Sequence, residues 1–486
     1  MSYPIIASSK CTDQEAWKAL KQAQGQAEKD WNRPVYHYCP PSQWMNDPNG
    51  GICHDGWYHL FYLQDPFSAD GFSAAIMPDG EILKGEEKPN RFWAHIRSRD
   101  LVKWEPLPFA LRPDRDNNEI KPISGSVIER TDGTHALFFT SVRYKKEKYD
   151  QCMAISRDGL ISWERLERPV LAMPDDPEIE QSWRDPYAFQ YNGEYYLVVA
   201  AATKSEALLL LYQAKGEDLI QWKYRGILLS KPRENVYYFE CPRLFVMGKE
   251  ILLIFSPYGN VKYYLCDFIP EKCSLMVRRE GLIDYGSVAY ATQPIETKKG
   301  EFALLSWAPG WFSPNLVKFE NWNGCLCTPR RITISEEGKL LQKPMTGMIG
   351  RSCDYIEASI KADSMEWLIP AAFEMHLHCD HADKLRFRLL FMEDCSDRLL
   401  QEIAVSNGKI TVEKATFQYE NGILDIRSLC DHFLWEYFLQ DGEFCYTTHL
   451  PNTPQRIRMV LKAETDGLKL DSLKVWLIKN KEVPAE

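Results

Sequence analysis

The sequence predicts an all-β protein: a short N-terminal helical extension over residues 1–34, a five-bladed β-propeller over 35–342 and a C-terminal β-sandwich over 343–486. Three observations carry that prediction. Short β-rich runs dominate after Pro34, a turn-and-tryptophan pattern recurs at a fixed interval, and strand-like runs continue beyond residue 345 after that pattern has stopped.

Residues 12–30, TDQEAWKALKQAQGQAEKD, read as one amphipathic helix. Thr12 or Asp13 can cap it, and Ala16, Trp17, Leu20 and Ala23 share a face. After Pro34 come YHLFYLQ, HALFFTSV, EYYLVVAAA, ALLLLYQA, ILLIFSPY and FALLSWAP, each of strand length and separated by Gly, Asp, Asn and Pro. Within this region SRDLVKWEPL, SRDGLISWERL and GEDLIQWKYRGIL share an acid, an apolar pair and a tryptophan, and Trp104, Trp163 and Trp222 are 59 residues apart at each step. An interval of that size holds one propeller blade of four antiparallel strands, so the stretch from 35 to 340 has room for about five. Beyond KPMTG the runs YIEASIKA, LRFRLLFM, KITVEKAT, ILDIRSL, LWEYFLQDGEFCYTTHL, RIRMVLKA and LKVWLIK alternate polar and apolar residues, as the strands of a sandwich do.

Composition narrows the function. The 58 basic and 68 acidic residues give a net charge of -10, which offers no basic face to nucleic acid or anionic lipid and favours a neutral small-molecule partner. The N-terminus has no apolar export segment, and no apolar run reaches bilayer length, so a cytoplasmic protein is expected, with its 14 cysteines as free thiols. Oligomeric state is not legible. No Gly-rich phosphate loop or Ser/His arrangement is apparent, and neither a cofactor nor a metal is expected.

Three acids stand in unusually apolar settings. Asp47 lies in QWMNDPNGG, Asp185 in SWRDPYAF and Glu240 in YYFECPRLF. A carboxylate among aromatic groups is costly to keep ionised unless partnered, and such surroundings also give a general acid its raised pKa. Each acid has a plainer reading. Asp47-Pro48-Asn49-Gly50 suits a tight turn, Asp185 can pair with Arg184, and Glu240 can pair with Arg243.

WMNDPNG, RDP and ECP, in that order, resemble the signature blocks of glycoside hydrolase family 32, the β-fructofuranosidases, invertases, inulinases and levanases. The likeness extends to WAHIRSRDLVKWEPLPFAL, SGS at 124–126, NWNGCLCTPRRITI and LWEYFLQDGEFCYTTHLP. It implies a retaining glycoside hydrolase acting on fructosides, with Asp47 as nucleophile, Glu240 as general acid/base and Asp185 gripping sugar hydroxyls. It also implies that Trp44, Asn46, Trp93, Ser124, Arg184 and Trp307 bind substrate. Retaining hydrolysis requires two carboxyl groups roughly 5 Å apart, one attacking the anomeric carbon while the other protonates the leaving oxygen. Asp185, set between an arginine and the sugar, is expected to stay ionised.

Departures from the family pattern fall on substrate recognition. Leu63 stands where a sugar-binding Gln is expected, Ile123 where a Phe is usual and Val288 where an Asp is usual; residues 67–92 form an insertion-like segment without Trp. These point to a fructoside other than plain sucrose, or a different furanoside. A fructosyltransferase and a catalytically inactive carbohydrate-binding propeller remain alternatives. HLHCDH, with His376, His378, Cys379 and His381, has ligand-type residues but reads as a polar strand face without a further ligand cluster. CLC, with Cys325 and Cys327, reads as structural, and PDDPEIE at 174–180 as a solvated loop near the pocket rim.

Overall fold

The computed structural model describes residues 5–6, 12–84, 89–145, 149–173, 178–179, 182–298, 300–310, 321–346, 351–361, 364–420, 422–450, 453–464 and 468–478. These residues form an all-β structure with one α-helix, Asp13–Ala27. Thr12 caps that helix through a reciprocal capping box with Glu15. The buried stripe is Ala16, Leu20, Ala23 and Ala27; Trp17, expected on that face, is half exposed and lies with its ring 4.8 Å from Phe109. Small alanines let the helix approach the first sheet, and Ala16 and Leu20 share a core with Trp44 and Met45.

Five antiparallel sheets follow one another along the chain. Their first strands are Gln43–His54, Glu119–Glu129, Arg184–Tyr191, Glu240–Met247 and Tyr290–Lys298. Each first strand lies against the first strand of the next sheet, and the fifth lies against the first. The third sheet shows the simplest order, Arg184–Tyr191, Glu194–Ala202, Glu206–Ala214 and Trp222–Pro232. Trp322–Asn323, late in the chain, pairs in parallel with Gln43–Trp44 and so ties the end of this region to its beginning.

The repeated motif is one turn used three times. Leu101, Leu160 and Leu219 are buried and adopt left-handed conformations, with φ of 63°, 73° and 57°. The preceding acids hold the turn: Asp100 accepts from Val102 N, Asp158 from Ser162 N and Asp218 from Ile220 N at 2.9, 2.9 and 3.2 Å. A left-handed leucine costs about 1–2 kcal/mol, and burying its whole side chain stabilises by a similar amount. The tryptophan then opens the last strand, as at Trp104 and Trp222, or directly precedes it, as at Trp163.

The last part of the chain forms two six-stranded sheets whose facing side chains share one core. Phe373, Met375, Leu377 and Val475 come from one sheet, and Phe387, Leu389, Phe391 and Met459 from the other. A fully buried polar network joins this part to the five-sheet part. His37 lies 2.9 Å from both Asp431 and Glu436, while Arg330 reaches Asp284 at 2.8 Å and Glu436 at 3.0 Å. Each of these buried carboxylates thereby has at least one basic partner, as a buried charge requires.

Candidate active site

All five first strands carry a break in register at the same level. Asn46 pairs with Leu63 and Pro48 with Tyr62, which leaves Asp47 unmatched; Ser124 is unmatched in the same way. Asp185-Pro186, Cys241-Pro242 and Ala291-Thr292 are the corresponding two-residue bulges. Proline has no N–H to contribute to a ladder, so an acid followed by proline suits such a bulge, which bends the strand and re-aims its side chains. Asp185 and Cys241 have left-handed backbones, with φ of 63° and 49°.

Asp47-Pro48-Asn49-Gly50 is therefore the bulged middle of a strand rather than a tight turn. Asn49 bonds the Asp47 carbonyl at 2.8 Å and accepts from Gly125 N and from the Arg243 guanidinium at 3.1 and 3.0 Å. Arg243, the expected alternative partner of Glu240, is buried beneath this bulge instead and supports it. Trp44 and Met45 belong to the same buried strand, which is why so apolar a pair precedes an acid that faces a cavity.

The three acids line one cavity of about 360 Å³. The Ser124 hydroxyl donates to Asp47 Oδ2 at 2.8 Å, and the Cys241 thiol lies 3.6 Å from the same oxygen. Cys241 N donates to Asp185 Oδ2 at 2.9 Å, so the residue next to Glu240 touches both aspartates. Glu240 itself accepts from Arg184 Nη2 at 2.7 Å and from the Tyr290 hydroxyl at 2.5 Å.

Arg184 was expected to keep Asp185 charged, and the geometry assigns it elsewhere. Its Nη2 serves Glu240 and the Tyr258 hydroxyl, which leaves Nε 3.7 Å from Asp185. Burial then pushes the Asp185 carboxyl up to about 7, against the pull of Arg184 and with the further push of Glu240. Burial, then the charge of Glu240, also raises Asp47, opposed by its bond from Ser124. Carboxyl groups that share one small cavity disfavour one another's ionised form, which is the direction taken by Asp47 and Asp185.

Of the residues expected to bind substrate, Trp44, Asn46, Ser124 and Arg184 line the cavity. Trp93 and Trp307 do not line it. Trp93 is fully buried among Phe61, Leu63 and Leu111, and Trp307 packs edge-on behind Trp44, with 5.9 Å between the rings. Leu63 and Ile123 face the cavity, whereas Gln64 points away and donates to the Ser42 carbonyl at 3.3 Å, as alternation along a strand requires. Val288 sits in a core with Cys39, Cys325 and Trp322, away from the cavity.

The lining also includes Arg91, Lys121, Val142, Tyr149 and Tyr258, none of which stood out in the sequence. Arg91 comes from the insertion-like segment. It lies 4.1 Å over the Trp44 ring and pairs with buried Asp65 at 3.4 Å, so the end of this segment contributes to the pocket wall. Only Glu178 and Ile179 of the acidic stretch 174–180 belong to the described residues; the rest lies outside them. The described cysteines, Cys325 and Cys327 among them, are free. No helix among the described residues is long and apolar enough to cross a membrane.

Residues 37–75 and 80–344 match the glycosyl hydrolases family 32 N-terminal domain. A raffinose invertase from Escherichia coli is 26% identical over 95% of this chain and 98% of its own length; a sucrose-6-phosphate hydrolase from the same organism is 26% identical over 91% and 94%. Among solved structures, a Bombyx mori GH32 beta-fructofuranosidase superposes with a TM-score of 0.79 at 24% identity, covering 97% of this chain and 99% of that one. A sucrose-6-phosphate hydrolase from Lactobacillus gasseri gives a TM-score of 0.79 at 22% identity, with 96% and 99% covered. The family match takes in all three strands that carry the acids, and the chain belongs to glycoside hydrolase family 32.

Proposed function

We propose that this glycoside hydrolase removes terminal β-D-fructofuranosyl residues from sucrose-like fructosides or fructo-oligosaccharides by retaining double displacement. One observation carries the proposal: three acids, each in or directly beside a bulge of a different first strand, share one cavity, and Cys241, next to Glu240, touches both aspartates. Asp47 is the nucleophile, its carboxylate oriented by Ser124 and Cys241 at Oδ2. It attacks the anomeric carbon as the bond to the leaving oxygen breaks, and Glu240 gives that oxygen a proton. Glu240 then takes a proton from water, which attacks the same carbon and frees Asp47. Asp185 holds ring hydroxyls, bonds that strengthen as the ring flattens toward the transition state.

The five sheets are read as the blades of a propeller over 35–342, supported by the mutual contact of their first strands and by the parallel pairing of Trp322–Asn323 with the first sheet. The shared core of the two six-stranded sheets supports a sandwich over 343–486, with 1–34 as the helical extension. A cytoplasmic enzyme without a cofactor, binding neither nucleic acid nor membrane, is in keeping with the acidic composition.

A phosphorylated fructoside is a second reading of the substrate. Arg91 and Lys121 add cationic charge to the cavity beside Leu63 and Ile123, and relatives are named sucrose-6-phosphate hydrolases. Incubation with sucrose, sucrose 6-phosphate, inulin oligosaccharides and levan, with free fructose measured, tests both readings. Release of fructose is expected from at least one. Binding without release supports the inactive carbohydrate binder, and transfer to a sugar acceptor in place of release supports the transferase.

A further inference from the structure

We propose that His376, His378 and Asp425 form a binding site for one divalent transition-metal cation of the Zn²⁺ class, outside the catalytic cavity. HLHCDH supplies two histidines at alternate positions of Ala372–Cys379, so both project from one face of the strand. The third ligand was invisible in the sequence. Asp425 lies on the adjacent strand Leu424–Asp431, directly across from His378, and one donor atom from each residue lies within 4.8 Å of the others.

The hydrogen bonds show what a cation would satisfy. His376 Nε2 lies 2.8 Å and His378 Nδ1 3.2 Å from the same Asp425 oxygen, Oδ2. His378 Nε2 meets a second carboxylate, Asp380 Oδ1, at 3.1 Å. A neutral imidazole carries one N–H. If that proton faces Asp380, the Nδ1 lone pair faces the Asp425 oxygen, and two acceptors oppose each other until a proton or a metal ion sits between them. The Asp380–His378 contact is also the outer-shell arrangement by which a carboxylate fixes the tautomer of a metal-ligating histidine.

Zn–N and Zn–O bonds of about 2.0–2.2 Å need only small side-chain adjustments from these positions. Two cationic side chains flank His376 across the sheet: Arg427, which is held by Glu374 with Nε at 2.7 Å, and Lys474, its partner on the other adjoining strand. His376, His378 and Asp425 retain 37%, 35% and 22% side-chain exposure, which leaves coordination positions open to water. His378 and Asp425 also line a cavity of about 770 Å³ shared with Glu337 and Lys339 of the five-sheet part.

Zn²⁺ titration by calorimetry into the full chain, freed of metal by chelation, tests the site. The expected result is one Zn²⁺ per chain, with affinity reduced at least about tenfold in His376→Gln and in Asp425→Asn. Co²⁺ added to the unsubstituted protein reads the site without any variant, and the visible absorption of a four-coordinate nitrogen/oxygen centre is expected. Absence of saturable Zn²⁺ binding, binding unchanged in both variants, or a Co²⁺ spectrum of the hexa-aqua ion would overturn the proposal.

Discussion

At the scale of single residues, the account depends on how carboxyl groups are aimed and paired. Asp185 illustrates both. Its folded pKa, about 7, lies above the ordinary carboxyl value of about 3.9, so the native protein keeps a proton that the unfolded chain releases. That contribution to stability is fully present below about pH 3.9 and is lost as pH rises through about 7. Asp185→Asn has no such proton to lose, so its melting temperature should gain on that of the unsubstituted protein between pH 4 and 7.5; a constant difference across that range would contradict the assignment. The acids themselves were legible because WMNDPNG, RDP and ECP place them beside aromatic residues and proline. The choice of Arg184 for Glu240 over its sequence neighbour was not, because it depends on the bulge that turns Asp185 away from the guanidinium. Tyr290 and Tyr258 escaped notice for a related reason: each reaches the site from a strand end or loop outside the three motifs that carry the acids.

At the scale of elements, the bulge is the unit that converts a regular strand into a presenting device. Gly125 shows how tight that construction is, since a Cβ there would overlap the Phe138 carbonyl of the adjoining strand. Gly125→Ala is expected to lower unfolding free energy by about 2 kcal/mol and to reduce turnover by displacing Ser124 from Asp47. Denaturant titration and initial rates check this, and unchanged values in both would show that the bulge tolerates a side chain. The D-L-x-x-W spacing was readable as a repeat because one turn recurs at the outer edge of successive sheets. Strand-length runs were readable for the same reason that periodicity is: their side chains alternate between two buried faces. Trp93 and Trp307 show the limit of such reading. A tryptophan in a site motif looks the same in sequence whether its ring faces a sugar or the core behind it, and here both face the core.

At the scale of the whole molecule, residues far apart in sequence must be held as one body. The His37 network does this between the five-sheet and two-sheet parts. Side-chain bonds to Asp431 and Glu436 raise His37 to about 9 despite the opposing effect of burial. A raised histidine contributes stability that is fully present below its unfolded pKa of about 6.5 and disappears as pH climbs through about 9. His37→Gln should therefore be markedly less stable at pH 6.5 and approach the unsubstituted protein near pH 9.5, as read by denaturant midpoints; a gap that stays constant would remove the charge pairing from the account. The same long-range organisation brings Cys241 beside Asp47 across 194 residues of chain, and the proposed reaction depends on it. Its most direct test is the rate of fructose release by Asp47→Asn from whichever fructoside the native enzyme cleaves. The account predicts a loss of about four orders of magnitude with melting behaviour preserved, whereas near-native turnover would contradict it.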